Sequence, residues 1–194
     1  EAAVSPLVGS YNAYNAVASF YTASILGIDK KTIIDGLSHV KPAFGRQEEF
    51  QKNGRTIKIF LSKNPTGMNE SLRTIKDLSG KYLLFLLNDR IPDGKDVSWI
   101  WDVDIEHLVR KDAYVFASGD RAFDMGLRFK YAEKWQIERG KPAFPAGKWQ
   151  IDLALENAYE AAMHQTPAGE TLYIVPTYSA MLEIRKLLTG RKIL

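Results

Sequence analysis

The most constraining feature of the sequence is an unbroken apolar run at residues 82–87 (YLLFLL), which polar residues follow immediately. Its side chains do not alternate between apolar and polar, as they would in a strand with one face in water. Such a run is typical of a central parallel strand that is covered on both faces. It therefore predicts an open, mostly parallel α/β sheet with helices on both sides.

The rest of the chain alternates between strand-like and helix-like patterns, which supports this fold class. Asn53 and Gly54 separate two strand patterns and readily adopt the positive φ angles of a tight hairpin turn. Residues 134–148, rich in proline, glycine and charge, are expected to form a surface excursion. Strands are expected at 48–52, 56–62, 82–87, 113–117 and 171–175, and helices at 69–78, 121–132, 151–164 and 178–188.

The beginning of the chain forms a separate helical segment in this interpretation. Small and apolar residues dominate 11–26, where Ser10 can cap a helix that stops at Gly27, and a second helix is expected at 29–39. Residues 41–46 (KPAFGR) have the proline and glycine of a linker or hinge. The predicted domains are residues 1–41 and 42–194.

Composition excludes several kinds of chemistry. The chain has no cysteine, so it contains no disulfide, thiolate metal site or cysteine nucleophile. Its histidines, His39, His107 and His164, fit no metal-ligand spacing, and no metal site is predicted. A net charge of +3 spread over 194 residues does not indicate nucleic-acid binding. No apolar stretch approaches the roughly 18 residues that span a bilayer, so a cytoplasmic protein is expected.

Polar residues follow the predicted strands at their carboxyl ends, where open α/β sheets usually bind ligands. The segments that fit this geometry are 88–104, 118–124 and 176–178.

The most unusual stretch is 88–106 (NDRIPDGKDVSWIWDVDIE), in which six acids surround Trp99 and Trp101. Carboxylates grouped in this way can hold Mg²⁺, orient a histidine or stabilise a cation, while the tryptophans supply an apolar contact. The alternative is a solvated loop that two core tryptophans hold in place. The acids are Asp89, Asp93, Asp96, Asp102, Asp104 and Glu106.

Three shorter segments could contact a nucleotide, and each has an ordinary structural alternative. Asn12 and Asn15 would project from one helix face and could bind the edge of adenine, or one could cap the helix. Arg46, at the hinge, could clamp a phosphate or be a surface arginine. Lys63 and Asn64 precede a helix whose first amides favour an anion, although turn formation alone explains this segment.

The order of these segments resembles the Mur ligase family. In that family the central ATPase domain ends with a helix opened by an Asn-x-x-Asn motif, and a Gly-Arg hinge leads to a Rossmann-like carboxyl-terminal domain. The counterparts here are Asn12 with Asn15, Gly45 with Arg46, and the remainder of the chain. The segments most similar to the MurT branch of the family are 63–69 (KNPTGMN), 88–102 (NDRIPDGKDVSWIWD) and 172–188 (LYIVPTYSAMLEIRKLL).

This resemblance implies an ATP-driven ligase subunit that amidates the D-glutamate of lipid II through an acyl phosphate, using ammonia from the glutaminase partner GatD. The absence of cysteine agrees with a glutaminase nucleophile on another chain. The sequence lacks a Gly-Lys-Ser/Thr phosphate loop and does not start with methionine. A fragment that is inactive alone is therefore expected, with ATP and Mg²⁺ bound mainly by an upstream domain.

Carried onto this sequence, the resemblance assigns Asn12 and Asn15 to adenine and Arg46 to the nucleotide phosphates. Lys63 and Asn64 would line the facing edge. It also implies an aspartate essential for amidation, for which Asp96 and Asp102 are both candidates. The substrate or partner loop would comprise Asn88, Asp89, Arg90, Trp99 and Trp101.

The sequence also departs from the family. Where ligases that add an amino acid carry Asp-Asn-Pro-Arg after a strand, this chain has Ser118-Gly119-Asp120-Arg121. Tyr11 replaces the histidine that often precedes the first asparagine. Loss of the acceptor motif is consistent with ammonia as nucleophile. The alternatives are a Mur or folylpolyglutamate-type ligase that adds an amino acid, and a non-catalytic docking module.

Overall fold

The computed structural model describes residues 6–42, 44–138 and 148–191, with only the backbone at 134–138. The chain divides into two compact units, Glu1–Phe44 and Gly45–Leu194. The division falls inside the predicted hinge. That the first unit ends a central ATPase domain stays a prediction.

The first unit contains two helices, α1 (Ser10–Ile25) and α2 (Lys30–Ser38). Asp29 caps α2, because its carboxylate accepts the Thr32 N–H at 3.0 Å. The cap of α1 is Gly9, with φ 96°, and Ser10 is already the first helical residue. The prediction of Ser10 as the capping residue was therefore wrong by one position.

In its described residues, the second unit has a six-stranded sheet with strand order β1-β2-β6-β3-β4-β5 and five α-helices. Only the β1–β2 pair is antiparallel among the described strands, which confirms the predicted fold class. The strands are β1 (Arg46–Lys52), β2 (Arg55–Phe60), β3 (Tyr82–Leu86), β4 (Tyr114–Ser118), β5 (Trp149–Ile151) and β6 (Thr171–Pro176). The helices are α3 (Pro65–Asp77), α4 (Ile105–Leu108), α5 (Ala122–Glu138), α6 (Leu155–Gln165) and α7 (Tyr178–Thr189), with a 3₁₀ helix at Ser98–Asp102.

Helices cover both faces of the sheet. On one face, α3, the 3₁₀ helix, α4 and α5 pack against Leu83 and Phe85 of β3. On the other, α6 and α7 pack against Leu84 and Leu86 of the same strand. Every residue of β3 is consequently buried, as the unbroken apolar run predicted.

The β1–β2 hairpin turns at the predicted dipeptide, where Asn53 and Gly54 have φ angles of 51° and 71°. Register pairs Arg46 of β1 with Phe60 of β2. Since β2 runs parallel to β6, the beginning of β1 lies at the carboxyl edge of the parallel strands. The hairpin thus brings the predicted hinge residue to the edge where ligands bind in such folds.

Several element predictions differ from the structure. Helix α6 begins at Leu155, four residues after its predicted start at residue 151. Helix α3 begins at Pro65, four residues before the predicted start at Asn69. Helix α5 runs to Glu138, into the predicted surface excursion, of which residues 139–147 lie outside the described part. Strand β5 was missed, since three residues carry little periodicity and pairing with β4 defines them.

Candidate functional site

The carboxyl ends of four strands meet at one edge of the sheet. The Ser62 N–H donates to the Pro176 carbonyl at 2.9 Å, which places the end of β2 beside the end of β6. The Thr177 N–H donates to Leu86 at 2.9 Å and the Leu87 N–H to Ser118 at 2.9 Å. The three polar segments predicted at this edge are therefore adjacent in space.

Asn88 connects the ends of β3, β4 and β6 through its amide and is only 1% exposed. Its Nδ2 donates to Ser179 Oγ at 3.0 Å, and its Oδ1 accepts the Asp120 N–H at 2.9 Å. Its own N–H donates to Thr177 Oγ1 at 3.0 Å. Because these partners satisfy the side chain from within the protein, the role of Asn88 here is to shape the edge.

Arg90 lies beside it and bridges two carboxylates. Its guanidinium donates to both oxygens of Asp120, at 2.8 and 3.2 Å, and also to Glu183 of α7. Hydrogen bonds to Asp120 and then Glu183 raise the pKa of Arg90 above its ordinary value. The side chain is 44% exposed, so solvent weakens each pair.

Arg121 forms a second ion-pair group at the same edge. It donates to both oxygens of Asp124, at 2.7 and 3.0 Å, and to Asp89 at 3.3 Å. The Arg121 hydrogen bonds hold the pKa of Asp124 below its usual range. All the charged residues of the Ser118–Arg121 corner thus have partners inside the protein.

A cleft of about 720 Å³ opens beside this corner, between the start of α6 and the side of α7. Carboxylates of Asp120, Glu156 and Glu183 line it together with Arg90. Lys186 also lines the cleft and is exposed, and its ammonium has no ion-pair or hydrogen-bond partner in the described chain. Of the predicted loop residues, only Asn88 and Arg90 line this cleft.

Arg46 and Lys63 lie at the same edge, at the start of β1 and just after β2. Both side chains are exposed, and neither makes an ion pair or side-chain hydrogen bond with the residues described. Two cations without a neutralising carboxylate fit a polyphosphate. Asn64 caps α3, because its Oδ1 accepts the Gly67 N–H at 2.7 Å. Its side chain therefore has the local structural role that turn formation alone predicted.

The asparagine pair lies on α1 of the first unit. Asn12 is nearly buried and donates from Nδ2 to the Val8 carbonyl at 2.8 Å, whereas Asn15 is exposed. Asn12 thus holds the backbone just before α1 but does not cap the helix, whose cap is Gly9, so the alternative that one asparagine caps the helix is wrong. The predicted adenine contact of the pair stays a prediction.

The six acids of the tryptophan-containing stretch do not form one cluster. Asp89 pairs with Arg121, and Asp93 accepts the Ser179 N–H at 2.8 Å. Asp96 accepts the Ser98 N–H at 2.8 Å, which lowers the Asp96 pKa. The predicted grouping of these carboxylates is therefore wrong, because the fold gives Asp89, Asp93 and Asp96 separate partners. No group of three or more histidine, aspartate or glutamate side chains that could hold a metal ion occurs within the described ranges.

The stretch is also divided between the two faces of the sheet. Arg90 reaches α7 on one face, whereas the 3₁₀ helix packs with α3 and α5 on the other. Trp99 is partly buried against that core, and Trp101 is 46% exposed and meets the Tyr131 ring edge-on at 5.6 Å. The residues predicted to form one loop therefore belong to two separate surfaces, one on each face of the sheet.

Sequence reasoning missed a buried arginine behind the tryptophans. Arg128 of α5 is 4% exposed and pairs with Glu106 at 2.6 and 2.8 Å. It also donates to the carbonyls of Ile100 and Val103 at 3.1 and 2.6 Å. Burial is the largest single influence on the Glu106 pKa and raises it, but the Arg128 hydrogen bonds, a backbone hydrogen bond and the charges of Arg128 and His107 together leave that pKa lowered. An arginine among the apolar positions of α5 was the signal that could have identified it.

No helix in the described part of the chain is long and apolar enough to cross a bilayer.

A family model described as MurT ligase C-terminal matches residues 61–181. The MurT subunit of the glutamine-hydrolysing lipid II isoglutaminyl synthase from Streptococcus pneumoniae (strain ATCC BAA-255 / R6) is 34% identical over 187 residues, covering 95% of this chain and 39% of that protein. The subunit of the same name from Staphylococcus aureus (strain COL) is 39% identical over 129 residues, 66% of this chain and 30% of that protein. This chain thus spans well under half the length of these relatives.

Solved structures with the same fold include two kinds of ligase. A UDP-N-acetylmuramoylalanyl-D-glutamyl-2,6-diaminopimelate–D-alanyl-D-alanyl ligase from Acinetobacter baumannii has a TM-score of 0.65 at 18% identity, covering 96% of this chain and 38% of that one. Folylpolyglutamate synthase from Mycobacterium tuberculosis, complexed with ADP, has a TM-score of 0.64 at 19% identity, covering 98% and 42%. At these identities the likeness establishes the Mur ligase type of α/β fold.

Proposed function

Since this chain belongs to the MurT ligase C-terminal family, we propose that it is the carboxyl-terminal part of the synthetase subunit of a lipid II isoglutaminyl synthase. The parent enzyme converts the D-glutamate of the lipid II stem peptide to D-isoglutamine. ATP, which the reaction consumes, activates the α-carboxylate as an acyl phosphate, and ammonia displaces the phosphate. A GatD-like glutaminase subunit supplies the ammonia.

The observation that carries this proposal is the neutralised corner at the ends of β3 and β4. Asp120 is bound by Arg90, and Arg121 by Asp124 and Asp89. An incoming amino acid would need a free cation for its carboxylate and a free anion for its ammonium. Ammonia needs neither, which favours an amidating enzyme.

In this proposal the second unit contributes one side of an ATP-binding site. Arg46 and Lys63 contact the phosphates from the carboxyl edge, where no carboxylate competes for them among the described residues. Asn12 and Asn15 contact adenine, and Asn64 shapes the edge by capping α3. Mg²⁺ and most nucleotide contacts belong to the remainder of the parent protein, as does activity, which this fragment lacks alone.

The exposed end of the tryptophan stretch faces the substrate or the partner. Asp96 or Asp102 assists amidation by guiding ammonia or by completing the glutaminase site of the partner. The surrounding surfaces are formed by the other residues of the predicted loop, which are Trp99, Trp101, Asn88, Asp89 and Arg90. The complex acts in the cytoplasm, on lipid II at the inner face of the membrane.

A second candidate, a ligase that adds an amino acid, is favoured by one observation. The 720 Å³ cleft has room for a small ligand, and its Lys186 lacks a partner in the described structure. Against it, the two curated relatives above carry names that specify glutamine hydrolysis.

A product assay tests the choice. The full-length parent protein is co-expressed with its glutaminase, and lipid II is incubated with ATP and either glutamine, ammonium or free amino acids. We expect a mass change equal to replacement of a hydroxyl by an amino group, with glutamine or ammonium alone. An amino-acid adduct would establish the second candidate, and intact assembly without ATP-dependent product would indicate a docking module.

A further inference from the structure

The side chain of Arg128 is the most deeply buried charge that the proposed function leaves unexplained, being 4% exposed. Its guanidinium donates to groups within the protein, so we do not assign it a substrate contact. Its donors bind Glu106 of α4 and two backbone carbonyls of the tryptophan stretch, at Ile100 and Val103. A buried arginine with this many directed hydrogen bonds fixes the positions of the groups that it binds.

Those two carbonyls flank one residue of particular interest. Ile100 lies two residues before Asp102, and Val103 lies directly after it. The Val103 N–H donates to the Ile100 carbonyl at 3.4 Å, which closes the 3₁₀ turn around Asp102. The backbone on both sides of Asp102 is therefore held by one side chain.

A second contact holds the same backbone from α3. The Asp104 N–H donates to Asn69 Oδ1 at 2.9 Å. Asn69 lies about one helical turn beyond the start of α3, roughly 6 Å along its axis. Lys63 immediately precedes the cap of that helix. The segment that contains Asp102 thus lies on the face and near the end of the sheet where Lys63 lies.

The carboxylates of Asp96 and Asp102 differ in what they bind. Asp96 accepts the Ser98 N–H at 2.8 Å and so fixes the start of the 3₁₀ helix. Asp102 is exposed, and its carboxylate has no hydrogen bond or ion pair with any residue that the structure describes. A carboxylate that is free while its backbone is fixed is available to a ligand without reorganisation of the protein.

We propose that Arg128 is a positioning residue, which through the carbonyls of Ile100 and Val103 and its ion pair with Glu106 holds Asp102 ready to act in amidation. This inference rests on the proposed function and selects Asp102 over Asp96 as the acting group. Trp101 is held by the same arginine, since the Arg128 guanidinium lies 5.7 Å from the centre of the Trp101 ring, in a cation–π contact.

The experiment uses the full-length synthetase in complex with its glutaminase. Arg128→Met removes all the hydrogen bonds, and Arg128→Lys keeps the charge for Glu106 without the fork that reaches both carbonyls. The double variant Arg128→Met with Glu106→Leu leaves no unpaired buried charge, so its melting temperature should return toward that of the wild type. Arg55→Met is the matched control, because Arg55 also binds two carbonyls, of Asn53 and Thr166, at the opposite edge of the sheet.

Three readouts are taken: kcat for glutamine-dependent amidation, KM for ATP, and hydrogen exchange of the backbone amides of residues 98–106. We expect kcat to fall at least 10-fold in Arg128→Met and in the double variant, with KM for ATP within 2-fold of wild type and faster exchange at 98–106. Arg128→Lys should show an intermediate loss of kcat, and Arg55→Met should keep wild-type kcat and exchange at 98–106.

Recovery of kcat together with stability in the double variant would overturn the proposal, because Arg128 would then be a structural residue alone. Unchanged exchange at 98–106 in the folded variants would overturn it equally. Failure of the wild-type complex to amidate lipid II would instead overturn the proposed function, and the exchange comparison would still decide whether Arg128 holds the stretch.

Discussion

Gly119 lies directly against Asn88, so that a Cβ on Gly119 would sit 2.6 Å from Asn88 Oδ1 and 2.6 Å from the Leu87 carbonyl oxygen. The same Oδ1 accepts the Asp120 N–H at 2.9 Å. With a φ angle of 102°, Gly119 also adopts a conformation that other residues avoid. The close approach of the β3 and β4 ends thus requires glycine at position 119, which has no side chain.

Gly119→Ala should consequently destabilise the second unit by about 2–4 kcal/mol, through strain and loss of the Asn88 hydrogen bond. Gly169→Ala is the matched control: its φ angle is 83°, but no atom lies within 4 Å of the added Cβ. We expect it to cost about 1 kcal/mol. Chemical denaturation of both variants measures the difference, and equal losses would contradict the close-packing argument.

Arg46→Ala and Lys63→Ala should each lower ATP-dependent amidation by 10-fold or more, because a charge-assisted contact to phosphate is worth about 1.5–3 kcal/mol. The melting temperature should stay within about 1 °C, since neither side chain has a partner among the described residues. Lys111→Ala, also exposed but at the opposite end of the strands, is the control. An unchanged KM for ATP and kcat in both variants would remove these residues from the nucleotide site.

Asp102→Asn should lower amidation at least 10-fold without loss of stability or of partner binding, because the carboxylate is free and exposed. Asp96→Asn should lower the melting temperature slightly, since it weakens the contact with the Ser98 N–H, and should lower activity less. Steady-state kinetics and size-exclusion chromatography of the complex measure these effects. Unchanged amidation in both variants with intact assembly would favour the docking module.

Alkaline pH should destabilise the protein through Tyr159, whose pKa burial raises to about 12 from an ordinary 10. The folded state keeps this proton while the unfolded chain loses it. The contribution is complete below about pH 10 and is lost as the pH rises toward 12, at about 1.4 kcal/mol per pH unit.

Tyr159→Phe should therefore reduce the loss of stability between pH 9 and about 11. It should also add up to about 1 kcal/mol at neutral pH, because the Tyr159 hydroxyl is buried and has no hydrogen-bond partner among the residues that the structure describes. Tyr14→Phe, at a side chain 77% exposed, is the control. Identical pH profiles of the wild type and Tyr159→Phe, in urea unfolding, would show that folding does not raise the pKa of Tyr159.

Sequence patterns predicted the elements of the sheet correctly where the conformational preferences of neighbouring residues are strong. The unalternated run that became β3 and the Asn53 and Gly54 turn carry their own conformational signals, and both were confirmed. The resemblance to the MurT branch, which rested on three segments, is confirmed by the family match. The three-residue strand β5 was missed because its signal comes from a neighbour.

The site was less predictable because charge pairing is a tertiary property. Asp93 and Ser179 lie 86 positions apart in sequence, and Asn88 and Ser179 lie 91 apart, yet each pair is hydrogen-bonded. No sequence periodicity encodes such contacts. Six acids close together in sequence therefore suggested one cluster, whereas the fold places them in separate surroundings.

The sequence by itself determined the fold class, the hairpin and the edge at which polar residues collect, since these depend on side-chain periodicity and on the φ preferences of individual residues. Only the tertiary structure decided which of those polar residues are free. It paired Arg90 with Asp120, set Arg128 behind the tryptophans and left Asp102 without a partner in the described chain. The physical reason is that the strength of a charge contact depends on distance and burial, which the order of residues does not fix.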